Sequence, residues 1–208
     1  MKKWISLFLA LALALGCMSF AAAEETRTFT DSTGRTVEVP ANITKFAISG
    51  PLTQIVIFAL APDKLVGVSS DWSEEAKAFI SEEAYNLPKL GQLYGGKSEM
   101  NLEELLASGA QVVIDVGEPK NTVKEDMDAL TEQTGIPFVH ITATLATFGD
   151  AYEMLGDLLG MPEEAAVLAD YCREIYARGK DISEKAELKN LLYVSGAEGH
   201  NVIAKSSY

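Results

Sequence analysis

Polar and aromatic side chains follow the short apolar segments of this sequence, at positions where loops would leave a sheet. Five such loops stand out, at residues 49–54, 69–72, 91–96, 115–118 and 142–144. Trp72 and Tyr94 supply flat aromatic faces, and hydroxyl groups, an amide and closely spaced glycines accompany them. Such a set of aromatic faces, hydrogen-bonding groups and accessible backbone is typical of a surface that recognises a small molecule.

Eight residues of these loops are the predicted solute contacts: Pro51, Leu52, Thr53, Gln54, Asp71, Trp72, Tyr94 and Thr142. Each also has a purely structural interpretation. Thr53, Gln54 and Asp71 could equally cap the helices that follow them. Trp72 could equally be a half-buried anchor of its loop, and both interpretations stay open at this point.

Catalytic chemistry finds little support in the same residues. The chain contains two histidines, His140 and His200, and His140 lies inside an apolar segment, which favours a packed core residue. The signatures H-E-x-x-H, G-x-S-x-G and the phosphate-binding P-loop do not occur. The carboxylates are numerous, but their spacing selects no pair as acid and base. The sequence therefore predicts binding, and an exported enzyme remains an alternative.

The elements that would position these loops alternate between short apolar runs and helical stretches. Strand-like runs begin near residues 46, 65, 112 and 138, and helical patterns, including one at residues 74–80, lie between them. This order predicts right-handed βαβ units and a mostly parallel sheet sandwiched by helices. Before it, residues 28–39 predict a β-hairpin with an Asp-Ser-Thr-Gly turn. In such a fold ligands bind at the carboxyl ends of the strands, where the five loops lie.

A long helix is predicted after this unit. It begins at Pro162, which with two following glutamates is a typical helix start, and it continues to about Lys185. Apolar residues recur along one face at three-, four- and seven-residue spacings, at Leu168, Tyr171, Cys172, Ile175 and Ile182. A helix of this length suits a spacer between two lobes.

The N-terminus has the pattern of an export signal. Lys2 and Lys3 precede an apolar run from Trp4 to Gly16, and three alanines at 21–23 come before Glu24. We expect an extracytoplasmic protein, periplasmic or at the cell surface. Two modes of processing remain open: simple cleavage after residue 23, or lipidation of Cys17, whose Ala-Leu-Gly-Cys context is similar to the lipobox of bacterial lipoproteins.

Composition excludes other classes of function. Hydrophobic residues make up 48% of the chain, which is enough for a packed core. The formal net charge is −13, and removal of the first 23 residues, which carry two lysines and no acid, takes it to −15. Such an acidic body repels nucleic acid, and no basic stripe offsets it. Cys172 is alone in the processed chain, so no internal disulfide is expected.

Several segments together resemble class III solute-binding proteins of ABC importers. They are the hairpin TFTDSTGRTVEVP, the segments KFAISGP and KLVGVSSDW, GQLYGGKSEMNLEELLASGAQVVID, GIPFVHITAT, and the long helix. The resemblance implies capture of a metal chelate, namely an iron–siderophore complex, heme or cobalamin, and no resident cofactor. It also implies delivery to a membrane permease by a monomeric protein.

The same resemblance implies two α/β lobes joined by one rigid helix, with the solute between them. On this basis residues 1–23 are a signal peptide, 24–160 the N-terminal lobe and 161–188 the joining helix. Residues 189–208 are an incomplete start of the second lobe, with its first strand at 191–195. His200, in a loop similar to one that reaches the ligand in this family, is a ninth predicted contact. Glu103 matches the acidic residue that docks on permease arginines in the vitamin B12 member of this family, and Glu104 beside it, or a purely solvated helix surface, is the alternative. The alternatives are a secreted enzyme, or an adhesive or sensory domain without a small ligand.

Overall fold

The computed structural model describes residues 25–94 and 99–187, together with the backbone of two short strands near the C-terminus. It opens with a hairpin of β1 (Thr26–Thr30) and β2 (Thr36–Pro40), which pair antiparallel over five residues. Asp31 forms the turn, because one of its carboxylate oxygens accepts from the amides of Thr33 and Arg35, at 2.9 and 3.1 Å. The predicted hairpin is confirmed.

Three parallel strands form the central sheet. They are β3 (Phe46–Ile48), β4 (Val112–Gly117) and β5 (Phe138–Thr142), with β4 in the middle. Every residue of these strands is buried except Asp115 and Thr142, which are half-buried, and this matches their mostly apolar runs. The α/β class predicted from the alternation of apolar runs and helical patterns is confirmed.

The predicted strand at residues 65–68 joins the sheet only through isolated bridges. Leu65 lies beside Phe46, and the Val66 amide donates to the Phe46 carbonyl at 3.1 Å. Two residues later Val68 exchanges hydrogen bonds with Pro88 and Leu90 instead, at 2.9 and 2.8 Å. The segment changes partner within four residues, and no continuous ladder forms.

Six α-helices lie in the described residues. They are α1 (Pro51–Phe58), α2 (Glu82–Tyr85), α3 (Leu102–Ser108), α4 (Val123–Thr134), α5 (Phe148–Leu159) and α6 (Pro162–Lys185). Pro62–Lys64 and Glu74–Ala78 are 3₁₀ turns, so the α-helix predicted for residues 74–80 is a shorter and tighter turn. Helices α3, α4 and α5 each end at a glycine in the left-handed conformation.

Two cores cover the two faces of the sheet. On one face α1, α5, the start of α6 and the hairpin pack on alternate strand residues, among them Phe46, Ile48, Ile114 and Ile141. On the other face α3 and α4 bring Leu105 and Met127 onto residues that include Ala47, Val113 and Phe138. Helices on both faces leave the carboxyl edge of the sheet to the loops.

Helix α6 packs closely on α5 only along its first half. A Cβ on Gly156 would lie 2.5 Å from the Cβ of Ala165, so the two helices approach where neither carries a large side chain. Ala165 and Ala169 are fully buried. Farther along, Tyr171, Ile175 and other apolar residues of α6 are exposed. No helix in the described ranges combines the length and the apolar character that a membrane span requires.

The two C-terminal strands, β6 (Val194–Ser195) and β7 (Asn201–Val202), pair antiparallel with each other. They form a sheet of their own, separate from β3, β4 and β5. The strand predicted at residues 191–195 overlaps β6, and its first three residues lie outside the described part of the chain.

Candidate functional site

The order of the strands creates a crevice between the ends of β3 and β4. The chain leaves β3 through α1 and returns on one side of it, at residues 65–68, whereas β4 pairs with β3 on the other side. The loops after β3 and β4 therefore lead in different directions. In parallel sheets such a switch point is where small molecules bind.

A cavity of about 190 Å³ occupies this crevice. The loop after β3 and the first turn of α1 form one wall, and the end of β4 with the loop before α4 forms the other. The lining residues are Ser49, Gly50, Pro51, Leu52, Thr53, Tyr94, Asp115, Val116, Gly117, Glu118 and Lys120. Four of the predicted solute contacts, Pro51, Leu52, Thr53 and Tyr94, are thus brought together.

Thr53 ties α1 to the end of β4. Its hydroxyl oxygen accepts from the Val116 amide at 2.9 Å and lies 3.2 Å from the Ser49 hydroxyl. The residue is almost fully buried. Its hydroxyl therefore belongs to the floor of the cavity and fixes the two walls at their base.

Asp115 and His140 form a polar pair under this floor. They are register partners on β4 and β5, and His140 Nδ1 lies 2.7 Å from Asp115 Oδ2. The Ser49 hydroxyl donates to the other oxygen, Oδ1, of the same carboxylate. On the far side of the imidazole, Nε2 is 3.3 Å from the Thr142 hydroxyl. The interpretation of His140 as a buried, satisfied residue agrees with this geometry, because both ring nitrogens have partners.

The same residues include a serine, an aspartate and a histidine, but their order differs from that of a nucleophilic triad. In a triad the histidine lies between the serine and the carboxylate and takes the proton from the serine. Here the carboxylate of Asp115 lies between Ser49 and His140. The imidazole does not contact the serine hydroxyl, so this arrangement does not activate Ser49 as a nucleophile.

Tyr94 forms part of the cavity rim. Its hydroxyl donates to Asp126 Oδ2 at 3.1 Å, and Asp126 also accepts from the Thr122 hydroxyl at 2.8 Å. Burial raises the pKa of the Tyr94 phenol, and the hydrogen bond to Asp126 with the nearby negative charges raises that pKa further. Tyr94 therefore presents a neutral ring, and its environment opposes the phenolate form that would bind iron directly.

The other predicted contacts lie outside the described lining of the cavity. The Gln54 side chain is buried and joins α1 to the next loop: Oε1 accepts from the Ser69 amide and hydroxyl, both at 2.8 Å, and Nε2 donates to the Ser70 carbonyl at 3.3 Å. Thr142 is the register partner of Gly117, which does line the cavity. Thr142 is half-buried, and its hydroxyl lies 3.3 Å from His140 Nε2.

Asp71 and Trp72 anchor the loop at residues 69–72 to the residues around it. Asp71 pairs with Lys89 at 3.2 Å on the surface. The Trp72 indole donates to the Ala84 carbonyl at 3.1 Å, and its ring meets Phe58 edge-on at 5.1 Å between centroids. These contacts correspond to the anchoring role that the sequence left open for Trp72.

Glu103 is exposed in the first turn of α3, beside Glu104. The Asn101 side chain caps this helix by accepting from the amides of both glutamates, at 3.1 and 3.2 Å. The helix start lies toward the carboxyl edge of the sheet, as expected for a helix that leads into a parallel strand. Two other predicted residues, His200 and Cys17, lie outside the described residues.

A second concavity, of about 500 Å³, lies along the exposed half of α6. Its lining is mostly apolar: Leu145, Phe148, Tyr171, Cys172, Ile175, Tyr176, Gly179, Lys180 and Ser183. Leu145 is 80% and Tyr171 62% exposed, which is unusual for side chains of this size. Burial raises the pKa of the Cys172 thiol, which is typical of a packed rather than a reactive cysteine.

Sequence reasoning included the loop at residues 115–118 but did not select Asp115 as a contact. A signal was present, because Asp115 is the one charged residue of an otherwise apolar strand and the next strand carries a histidine. Among the described residues, no group of three or more His, Cys, Asp or Glu side chains is placed to hold a metal ion.

Comparisons with known proteins identify the architecture. No protein-family model matches the sequence, and no curated protein matches it. Solved structures do match. A solute binding protein of an ABC transporter from Sulfurospirillum deleyianum is 23% identical with a TM-score of 0.66, over 76% of this chain and 50% of that one. A periplasmic solute binding protein from Veillonella parvula is 26% identical with a TM-score of 0.63, over 82% and 52%.

The Haemophilus influenzae molybdate binding protein MolA is 20% identical with a TM-score of 0.58, over 76% of this chain and 53% of that one. The chain thus spans about half the length of the solved structures that it matches. Parallel strands, flanking helices, the N-terminal hairpin and the long helix are all part of this likeness. The chain therefore has the fold of about half of a periplasmic solute-binding protein of ABC transporters.

Proposed function

We propose that this chain is part of an extracytoplasmic solute-binding protein that captures a metal chelate and delivers it to the permease of an ABC importer. The observation that carries the proposal is the cavity at the switch point between β3 and β4. It lies where this class of sheet binds ligands, and its floor is fixed by Thr53, Ser49 and Asp115. The chelate is a ferric siderophore, heme or cobalamin.

The size of the cavity supports a site shared between two lobes. A pocket for a drug-sized ligand has a volume of roughly 300–1,000 Å³. The cavity on this chain holds about 190 Å³ and opens outward. A facing second lobe would complete it, and the matched structures, about twice as long as the matched part, provide the length for one.

The apolar concavity on α6 supports the same architecture. Its residues belong to the second half of the helix, beyond the part that packs on α5. We propose that α6 is the joining helix and that the second lobe covers this surface. Burial of the exposed rings of Tyr171 and Tyr176 would hold the two lobes at a nearly constant distance and limit closure around the solute.

Glu103 is the proposed permease contact. It is exposed, and it lies toward the same edge of the lobe as the cavity. A carboxylate there can pair with an arginine of the permease and orient the loaded protein with its solute facing the membrane. Reduced transport by a Glu103→Gln variant that still binds solute would support this role. Glu104→Gln is the matched control, because it removes the same charge one residue away.

The proposal that the protein is exported depends on the pattern of the first 23 residues. The proposal places the processed protein in the periplasm or at the cell surface, with cleavage before residue 24 or lipidation of Cys17 as the two modes. Mass spectrometry of the protein from membranes distinguishes them, since a lipidated chain begins at Cys17 and carries the added mass of the acyl groups.

Chelate binding is testable by fluorescence. Trp72 is the one tryptophan after residue 23, so emission from the processed chain reports a single site. We expect one of hemin, cobalamin or a ferric trihydroxamate, all of them coloured, to quench this emission saturably by energy transfer. If a ferric chelate quenches the emission, its colourless gallium analogue should compete for the same site without quenching. A flat response to all three coloured chelates would contradict the proposed function.

A further inference from the structure

Among the residues that the structure describes, Asp115 is the one carboxylate that reaches both the buried network and the cavity. Its side chain is 14% exposed, whereas that of His140 behind it is fully buried. Asp115 also lines the cavity, together with Glu118 and Lys120. A carboxylate in this position can contact a solute directly.

The Asp115 carboxylate is held on two sides. The Ser49 hydroxyl donates to Oδ1, and His140 Nδ1 lies 2.7 Å from Oδ2. A carboxylate offers about four acceptor sites on its two oxygens, so two bonds leave acceptor capacity toward the open space. The group is therefore positioned before any solute arrives, and binding costs little further ordering.

His140 contacts the lining of the cavity through Asp115. With a proton on Nδ1, assigned here from the hydrogen-bond pattern, the ring donates to Asp115, and its Nε2 lies 3.3 Å from the Thr142 hydroxyl. The Asp31 carboxylate lies near the His140 backbone amide, at 3.4 Å, and its charge is paired with Arg35. The imidazole is thus a positioning group for Asp115.

The remaining polar groups of the cavity favour a solute that donates hydrogen bonds. In the described part of the lining, Asp115 and Glu118 are acidic and Lys120 is basic. The Tyr94 hydroxyl already donates to Asp126, so its hydrogen is not available to an anionic solute. An anionic chelate would approach two carboxylates, whereas an ammonium or other N–H-rich group would find acceptors.

We propose that Asp115 is a specificity-determining residue, which accepts hydrogen bonds from an ammonium or N–H-rich group of the solute and discriminates against anionic chelates, with His140 as its positioning residue. This inference rests on the proposed function and deepens it, because it names the chemistry of the solute. Heme, with two carboxylates, and tricatecholate chelates are accordingly disfavoured, and cationic or neutral chelates are favoured.

The test uses three ferric trihydroxamates that share one chelate core. One ends in a primary ammonium group, the second carries an acetyl cap on that nitrogen, and the third a succinyl cap that adds a carboxylate. A hydrogen bond to a charged group corresponds to a preference of about tenfold or more, so we expect the ammonium form to bind at least ~10-fold more tightly than the acetylated form. The succinylated form should bind most weakly.

Substitutions test whether Asp115 is the source of the preference for the ammonium chelate. Asp115→Asn should reduce the preference for ammonium over acetyl to about onefold. Asp63→Asn is the matched control, since it removes one carboxylate charge from an exposed position remote from the cavity. His140→Gln should lower the same preference while Asp115 is still present, an effect that a purely structural role would not confine to the charged chelate.

The outcomes separate this inference from the proposed function. If none of the ferric trihydroxamates, hemin and cobalamin binds, both are overturned. If chelates bind but the succinylated form binds as tightly as the ammonium form, only the inference is overturned. That comparison uses the unmodified protein, so it decides the matter even if the Asp115 and His140 variants fail to fold. Equal preferences in the Asp115→Asn and Asp63→Asn variants would also overturn it.

Discussion

Asp31 and Asp115 lie on two sides of the same histidine and have opposite surroundings. Asp31 Oδ2 is 3.4 Å from the His140 amide, and Asp115 Oδ2 is 2.7 Å from its ring nitrogen Nδ1. The Asp31 side chain is fully enclosed, and donors from its own turn and from Arg35 surround it. Asp115 has two partners and an open side.

The comparison shows how one side-chain type comes to serve structure in one region and recognition in another. Around Asp31, the hairpin turn and β5 supply more donors than the carboxylate needs, and no water reaches it. Around Asp115, β3 ends at Ile48 and the chain turns into α1, and the side-chain donors that contact this carboxylate in the described residues are Ser49 and His140. An unfilled acceptor at a cavity is available to a solute.

The largest expected effect is the loss of stability when Asp31, the fully enclosed carboxylate, is removed. Asp31→Ala should lower the free energy of unfolding by about 3–5 kcal/mol, because it leaves the nearly buried Arg35 charge without its inner partner. Urea denaturation at neutral pH measures it. Asp128→Ala is the control: Asp128 binds the same guanidinium from an exposed position, and its loss should cost below about 1 kcal/mol. Equal losses in the two variants would contradict the enclosed role of Asp31.

Gln54 provides a second enclosed polar group, beside the cavity. Gln54→Ala should cost about 2 kcal/mol, because the buried Ser69 amide loses its acceptor. Since Gln54 lies outside the cavity lining, chelate affinity measured well below the unfolding midpoint should change little. A selective loss of affinity without a loss of stability would instead place Gln54 among the solute contacts.

The pH dependence of the unfolding free energy should show how much Asp31 contributes to stability. Burial by itself would raise the pKa of this carboxyl, but hydrogen bonds from the Thr33 hydroxyl and from the backbone of Arg35, His140 and Thr33 outweigh it and lower the pKa. The stabilisation is therefore complete above the unfolded pKa of about 3.9 and is lost as pH falls through the lower folded value.

Asp31→Asn removes this contribution. The difference in unfolding free energy between the unmodified protein and the variant should therefore be constant near neutral pH and shrink below about pH 4. Urea midpoints across acidic pH measure it. A difference that does not change with pH would contradict the lowered pKa.

The smallest expected change in stability is at Tyr94, on the rim of the cavity. Tyr94→Phe removes the hydroxyl bond to Asp126 but keeps the ring at the cavity rim, so it should cost below about 1.5 kcal/mol of stability and leave chelate affinity nearly unchanged. Tyr94→Ala removes the ring and should weaken chelate binding severalfold. Equal affinities of the Phe and Ala variants would exclude Tyr94 as a contact.

Much of the fold could be predicted from local patterns. The hairpin, the three buried strands and the long helix follow from apolar runs, an Asp-Gly turn and a proline start, all of which act within a few residues. The segments at residues 65–68 and 74–80 were less predictable, because a change of partner at Val68 and a tight 3₁₀ turn depend on distant neighbours.

The candidate site remains a prediction. The rule for parallel sheets selected the carboxyl edge, and four of the predicted contacts line one cavity there. Gln54 and Trp72 have the residue types of contacts, but hydrogen bonds to Ser69 and Ala84 give them structural roles that the sequence could not separate from binding. Whether any of the nine predicted residues contacts solute stays a prediction, as do the roles of Glu103 and Cys17.

The sequence by itself determined the class of fold and the edge of the sheet that offers polar and aromatic groups, because strand and helix periodicities and turn residues are local properties of the chain. Only the tertiary structure decided that Asp115, His140 and Ser49 lie together at one cavity, whereas the Asp31 side chain is fully buried on the other side of His140. That outcome depends on which strands pair and in which register, and the residues concerned are up to 91 positions apart along the chain, between Ser49 and His140.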